Sequence, residues 1–216
     1  MLSTLPDVAG LRGVSFAGRR AFVGVVEALG FDDAAGDALA AVLSHESRWN
    51  TTARNPQSGA IGILQFMPAT ARHLGTTPEA IAAMSLVEQL DLVRRFFAPF
   101  GKLAARDVPI APYLPSMVGK PDDTISFEEG SKGYAQNAGL DTDKDGRITL
   151  GEVRRDVLRL LDGPATRPRL PIDDEPGAAQ PAAVPHTAPS VRGLGLVIAI
   201  GIAIAVYSTS RRKKAA

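Results

Sequence analysis

The sequence predicts a mainly α-helical folded domain, then a proline-rich linker, then one C-terminal transmembrane helix. Three observations carry this prediction. Apolar residues recur three and four apart behind capping residues, the signature of amphipathic helices. Seven prolines crowd residues 162–192: Pro164, Pro168, Pro171, Pro176, Pro181, Pro185 and Pro189. Gly193 to Ser210 are 18 consecutive uncharged residues, bounded by Arg192 and by Arg211, Arg212, Lys213 and Lys214. The expected organisation is a folded domain over 1–162, a linker over 163–192, a span over 193–210 and a basic tail over 211–216.

The helices of the domain read in order. Phe16, Phe22, Val23, Val26 and Leu29 suit one face of a first helix. Its run AFVGVV follows Arg12, Arg19 and Arg20, but it is too short, and Glu27 too near, for a secretory leader. Asp32 and Asp33 can cap a helix running to about Ser47, with Leu39, Val42 and Leu43 on its apolar face. Pro68 opens a short helix, as does Thr77-Pro78-Glu79. Ser85 and Glu88 form a capping box for a helix burying Leu86, Leu90, Val93 and Phe97. Pro109, Pro112, Pro115 and Pro121 limit 104–121 to loops and short turns. Helical patterns near 127–138 and over 150–161 complete the domain.

The linker cannot propagate helix or sheet, because proline lacks the amide donor and fixes φ. At about 3.1 Å per residue it reaches on the order of 90 Å. The apolar segment spans roughly 27 Å as a helix, close to the hydrocarbon thickness of a bilayer. Tyr207 stands where an interfacial aromatic would. Gly195, Ala199 and Ala203 put small residues on one face, which permits pairing of spans into a homo-oligomer.

Composition excludes several classes. Basic and acidic residues nearly cancel, 24 against 23, but residues 1–162 hold 17 basic and 20 acidic side chains, a net −3. A nucleic-acid domain needs a basic face, so none is expected. With no cysteine there is no disulfide scaffold, thiolate zinc site or Cys nucleophile.

One charge is misplaced. Four residues past Val42 and three past Leu43 on the apolar stripe comes Glu46. Burying a carboxylate is costly unless it is paired or protonated, and burial raises its pKa toward what a general acid needs. A Glu frayed into solvent or paired with Arg48 is the bland alternative. Beyond it lie a polar loop, Asn50 to Ser58, then Gly59, Ala60 and Gly62, which allow close backbone approach, then Gln65. One buried acid beside neutral hydrogen-bonding groups suits a carbohydrate cleft. His45 and Glu46 do not make a zinc helix, since the position four after His45 is Trp49.

Here the chain resembles the soluble-lytic-transglycosylase catalytic domain, a relative of goose-type lysozyme, so the expected fold is lysozyme-like. The Glu-Ser motif of that family stands as Glu46-Ser47, with Trp49 after it. Its Gly-Leu-Met-Gln motif stands as Gly62-Ile63-Leu64-Gln65, followed by Phe66-Met67-Pro68 and Thr70-Ala71. Its third motif, Ala-Tyr-Asn then glycine, is not present as such. Tyr113 in IAPYLPSM and Tyr134 to Asn137 in GYAQNAG compete as stand-ins, and Tyr113 is preferred for its separation from the second motif. The resemblance implies cleavage between N-acetylmuramic acid and N-acetylglucosamine in peptidoglycan. Glu46 would protonate the leaving oxygen and then help the muramic C6 hydroxyl attack C1, giving a 1,6-anhydro end. Ser47 would orient Glu46, and Gly62, Gln65 and Tyr113 would line the sugar site. Trp49 would stack on sugar or sit in the core. No second acid lies between Glu46 and Glu79 to serve an ordinary two-carboxylate glycosidase. No catalytic metal is expected.

A second constellation is independent. Residues 141–152 read DTDKDGRITLGE. Asp141, Asp143 and Asp145 take positions 1, 3 and 5 of a twelve-residue calcium loop, Gly146 position 6, Ile148 position 8, Thr149 position 9 and Glu152 position 12, while Arg147 offers its carbonyl. The loop resembles a single EF-hand inserted in the domain, and a structural Ca²⁺ is expected.

The expected function is a membrane-anchored lytic transglycosylase, with peptidoglycan and the lipid bilayer as partners. A hydrolytic muramidase and a non-catalytic, calcium-dependent glycan-binding membrane protein are the alternatives. Positive charge after the span predicts a cytoplasmic C-terminus and an external domain. With no leader expected, the internal membrane of a bacteriophage virion, from which the enzyme would aid genome entry, is favoured over a bacterial inner membrane.

Overall fold

The computed structural model describes residues 4–162 and 169–172. The elements run β1 (Thr4–Leu5), α1 (Phe16–Ala28), α2 (Asp33–Ser47), α3 (Pro68–His73), α4 (Pro78–Ala83), α5 (Leu86–Phe97), α6 (Ile110–Tyr113), β2 (Ile125–Glu128), α7 (Lys132–Asn137), β3 (Arg147–Thr149), α8 (Leu150–Leu158) and β4 (Leu170–Pro171), with short 3-10 turns between them. The fold is mainly helical, as expected. The expected linker beyond residue 172, the span over 193–210 and the tail lie outside the described residues. Among the described residues no helix is long and apolar enough to cross a membrane.

Capping sets the helix starts. Ser15 and Asp32 accept amide hydrogen bonds ahead of α1 and α2, and Ser85 and Glu88 form the reciprocal capping box of α5. The main core gathers Phe22 and Val26 of α1, Leu39 and Leu43 of α2, and Leu90, Val93 and Phe97 of α5. Sequence periodicity gave α2 a single apolar face. In the structure Ala35, Ala38, Ala40 and Ala41 are buried as well, because α1, α8 and the 3-10 turn Ala105–Asp107 pack round it. Alanines there let the neighbours approach closely. Helix α2 is therefore held on several sides, which fixes the place of its last turn.

A second, smaller core lies toward the C-terminal end. It contains Ile110, Tyr113, Leu140, Ile148, Leu150 and Val153, with Phe127 and Tyr134 packed against them. The helical pattern expected over 127–138 is corrected here. Residues 125–128 form strand β2, antiparallel to β3 with Phe127 opposite Ile148 and Glu128 opposite Arg147. Helix begins only at Lys132, capped by Ser131. Gly130, at φ 85°, makes the turn between them. Pairing with β3, a tertiary interaction, overrides the local pattern. Arg154 ties the two cores together. Its side chain is 6% exposed, and it donates to Asp107 (2.9 Å), to the carbonyls of Arg106 (2.9 Å) and Lys120 (2.8 Å), and to Asp122.

The expectation that no sheet forms in 163–192 is also corrected. Leu170 and Pro171 pair with Leu5 and Thr4, and Leu170 and Ile172 are buried. Arg169 makes two 2.8 Å contacts to Asp37. Proline is tolerated in an edge strand of this length, where no further strand needs its missing donor. The Pro171 carbonyl is used, accepting from Arg19 at 3.2 Å.

Candidate active site

Helix α2 ends abruptly. Arg48 and Trp49 both take left-handed conformations, φ 54° and 64°, which are uncommon for residues with a side chain. Packing holds them there. The Trp49 indole nitrogen donates to Ser44 Oγ at 2.8 Å, and its ring meets Phe22 edge-on at 5.1 Å. Trp49 is buried, so of its two readings the structure gives the core one. Gly10 closes over this turn; a Cβ there would lie 2.0 Å from the Arg48 carbonyl oxygen.

The Gly62–Gln65 segment forms a tight hairpin against the same helix end. Ile61 and Phe66 exchange backbone hydrogen bonds of 3.1 and 2.8 Å across it. Ser47 Oγ donates to the Ile63 carbonyl at 3.0 Å and back to Leu43 at 3.3 Å. Gly62, at φ 79°, leaves no room for a side chain: a Cβ would sit 2.5 Å from Gln89 Oε1. Gln65 donates to the carbonyls of Gly62 (3.0 Å) and Ala53 (3.1 Å). The structure thus brings Glu46, Ser47, Gly62 and Gln65 together. It gives Ser47 and Gly62 the task of fixing the hairpin beside the acid.

Glu46 stands in the last turn of α2 and remains partly accessible to solvent. Among the described residues no hydrogen bond or ion pair reaches its carboxylate, so the pairing with Arg48 does not occur. Packed protein round the end of α2 denies the group full hydration. That desolvation pushes its pKa up to about 7, against an opposing pull from the charge of His45.

Tyr113 and Tyr134 go elsewhere. Tyr113 is 3% exposed, packed edge-on against Phe127 at 6.0 Å in the second core. Its hydroxyl is buried without a hydrogen-bond partner, and the neighbouring Ser126 hydroxyl donates to the Ile148 carbonyl at 2.7 Å. Burial pushes the Tyr113 pKa up to about 12. The sugar contact expected of Tyr113 is corrected accordingly: helix α6 is a single turn, and it delivers the ring inward. Tyr134 donates to Asp141 Oδ2 at 2.6 Å and belongs to the acidic loop.

In that loop the carboxylate oxygens of Asp141, Asp143 and Asp145 lie within 4.8 Å of one another. Ligands at about 2.4 Å from one hard cation are separated by no more than this, so the triad fits such an ion. The amides of Asp145 and Gly146 point at Asp141, at 3.2 and 3.1 Å. Arg147 and Thr149 lie on β3. Glu152 is buried and closes the capping box of α8, accepting from the amides of Thr149 (2.9 Å) and Thr142 (2.8 Å). Burial would raise its pKa, but these hydrogen bonds prevail and lower it.

Two features escaped the sequence reading. Gln89 is fully buried on α5, accepting from the Ile63 amide (2.9 Å) and donating to the carbonyls of Thr51 (2.8 Å) and Ile81 (2.9 Å). It is a polar residue beside Leu90 and three after Leu86 on an apolar stripe, the same signal that singled out Glu46. The other is the pair of His45 and Asp156, 2.9 Å apart. Nothing local in the sequence joins residues so distant.

Comparison with known proteins gives one match. The family model described as Transglycosylase SLT domain matches residues 33–85, the stretch from α2 through the Gly62–Gln65 hairpin and α4 to the Ser85 cap of α5. No curated protein and no solved structure matches the chain.

Proposed function

We propose that the chain is a membrane-anchored peptidoglycan lytic transglycosylase with Glu46 as its single acid and base. The matched domain suggests lytic transglycosylase activity on peptidoglycan. The observation that carries the reading is the Glu46 carboxyl, unpaired on a half-buried residue at the end of α2, with burial holding its pKa near 7. Such a group is protonated often enough to donate and ionised often enough to accept. Glu46 gives its proton to the glycosidic oxygen as the bond to C1 breaks. The resulting carboxylate takes the proton of the muramic C6 hydroxyl as that oxygen bonds to C1. No water enters, and Glu46 ends protonated as it began. The Gly62–Gln65 hairpin forms one wall, where Gln65 receives the acetamide or hydroxyl groups of the sugar.

Glu46→Gln should retain the fold and glycan binding yet lose cleavage of isolated peptidoglycan by several orders of magnitude. Products from the parent should be lighter by one water than hydrolysis products. Full-mass ends would mean a muramidase, and a variant within tenfold of the parent would remove Glu46 from the chemistry.

Calcium in this proposal is structural. Asp141, Asp143, Asp145 and Glu152, with oxygens from Arg147 and Thr149, would hold one Ca²⁺ and clamp the start of α8. A cation bound only by the folded state adds about 2.7 kcal/mol at a hundredfold excess over its Kd. Calcium should raise the melting temperature of the chain, and Glu152→Ala should remove that rise; a melt indifferent to calcium eliminates the site. The anchor rests on the 193–210 segment and its basic flank. Deleting 193–216 should abolish flotation with lipid vesicles while turnover on isolated peptidoglycan persists. The virion membrane remains the preferred location, and recovery of the protein from purified particles tests it.

A further inference from the structure

His45 precedes Glu46 on α2 and reaches out of the helix to the C-terminal lobe. Its Nε2 lies 2.9 Å from Asp156 Oδ2 on α8, with side chains 15% and 22% exposed. Asp156 is itself held, since Arg159 reaches its other oxygen at 2.9 Å and donates to its carbonyl at 2.9 Å. Helix α8 packs on α2, so the pair sits in a formed interface. Charged groups approach His45 from each side of it: Glu46 on its own helix, Asp156 on α8 and Arg159 in the turn beyond. The 3-10 turn packed on α2 carries Arg106 and Asp107. Arg106 lies near Asp122 and donates to Lys120, and Asp107 is paired with Arg154. On α1, Arg19 is committed to the carbonyls of Arg12 and Pro171.

We infer that His45, held by Asp156, is a positioning residue for Glu46: a cation that favours the carboxylate formed in the half-reaction where Glu46 gives its proton to the glycosidic oxygen. The inference rests on the acid–base reading of Glu46. His45 keeps its own proton throughout, so the proton balance of the reaction is unchanged. Burial alone would favour neutral imidazole, but the hydrogen bond to Asp156 and the charges of Glu46 and Asp156 prevail, and the His45 pKa is raised. His45 thus answers to two acids, Asp156 and Glu46, and in this proposal its titration is coupled to that of Glu46. The lobe that carries the acidic loop becomes part of the catalytic apparatus through a single side-chain contact.

The test uses the full chain and the pH dependence of kcat/KM on isolated peptidoglycan. Glu46 must be protonated to donate, so activity falls as pH rises through the Glu46 pKa. His45→Gln removes the cation, and the alkaline limb should move upward by about one pH unit. Asp156→Asn should move it the same way by less, and the double variant no further than His45→Gln. A loss of activity uniform across pH, with the limb in place, would mean a packing role only and overturn the inference. A second readout is independent of cleavage. The chain has three histidines, His45, His73 and His186, whose imidazoles can be followed by NMR. The His45 midpoint should fall in Asp156→Asn and in Glu46→Gln. A midpoint unmoved by either variant overturns the coupling whether or not the chain cleaves glycan. Shifted midpoints in a parent inactive at every pH would refute the lytic reading and leave the coupling standing.

Discussion

Replacing Gln89 by leucine should both destabilise the domain and loosen its acid site. The two side chains are close in volume, so the change opens little cavity. Besides a long 3.4 Å contact to the Met84 carbonyl, it removes three hydrogen bonds that no water can replace at a fully buried position: from the Ile63 amide, and to the carbonyls of Thr51 and Ile81. Each buried backbone group left without a partner costs about 1–3 kcal/mol. Thr51 is only partly buried and can turn to solvent, so about 3–5 kcal/mol is expected. For a domain of this size each kcal/mol lowers the melting temperature by about 2–4 °C, which predicts a drop on the order of 10 °C. The Ile63 amide belongs to the hairpin that Ser47 ties to the end of α2. Activity measured well below the new melting temperature should therefore fall too, because the wall beside Glu46 is no longer pinned. Calorimetry on the purified chain and turbidity loss of cell-wall suspensions are the assays. A drop below about 2 °C, or full activity in a destabilised protein, would refute the argument that Gln89 organises the site.

Glu46→Gln carries a second expectation, in stability. Its folded pKa of about 7 lies above the ordinary carboxyl value of 4.5, so the parent loses stability as pH rises from about 4.5 to about 7, while below about 4.5 the carboxyl is neutral in both states. The variant should match the parent at pH 4 and exceed it at pH 8 by about 1–3 kcal/mol, partial solvent access reducing the full linkage value; equal denaturant midpoints at both pH values would show that Glu46 is not desolvated. Arg154→Met should cost about 3–5 kcal/mol, because Asp107 and the carbonyls of Arg106 and Lys120 lose their shared donor. Urea unfolding checks it, and a change under about 1 kcal/mol would mean that the two cores do not depend on this link.

Local chemistry was legible in the sequence because its causes are local. The starts of α2, α4 and α5 follow from side-chain oxygens placed ahead of apolar runs, and the Ser85–Glu88 box forms as its spacing requires. Glu46 could be singled out because a charge on an apolar stripe is anomalous whatever surrounds it. The acidic triad was equally visible, since alternate residues of one turn must converge. What depended on contacts between distant segments was not legible. Strand β2 exists because β3 pairs with it, and β4 because β1 offers an edge. Tyr113 had the right separation from Gln65 for a cleft wall, but its direction was decided by a one-turn helix and the Phe127 ring waiting on the other side. Gln89 and Asp156 acquire meaning only from partners 26 and 111 residues away, Ile63 and His45. Periodicity records which face of an element turns from water; the group that meets that face is chosen by packing, and in this protein packing decides what surrounds the acid.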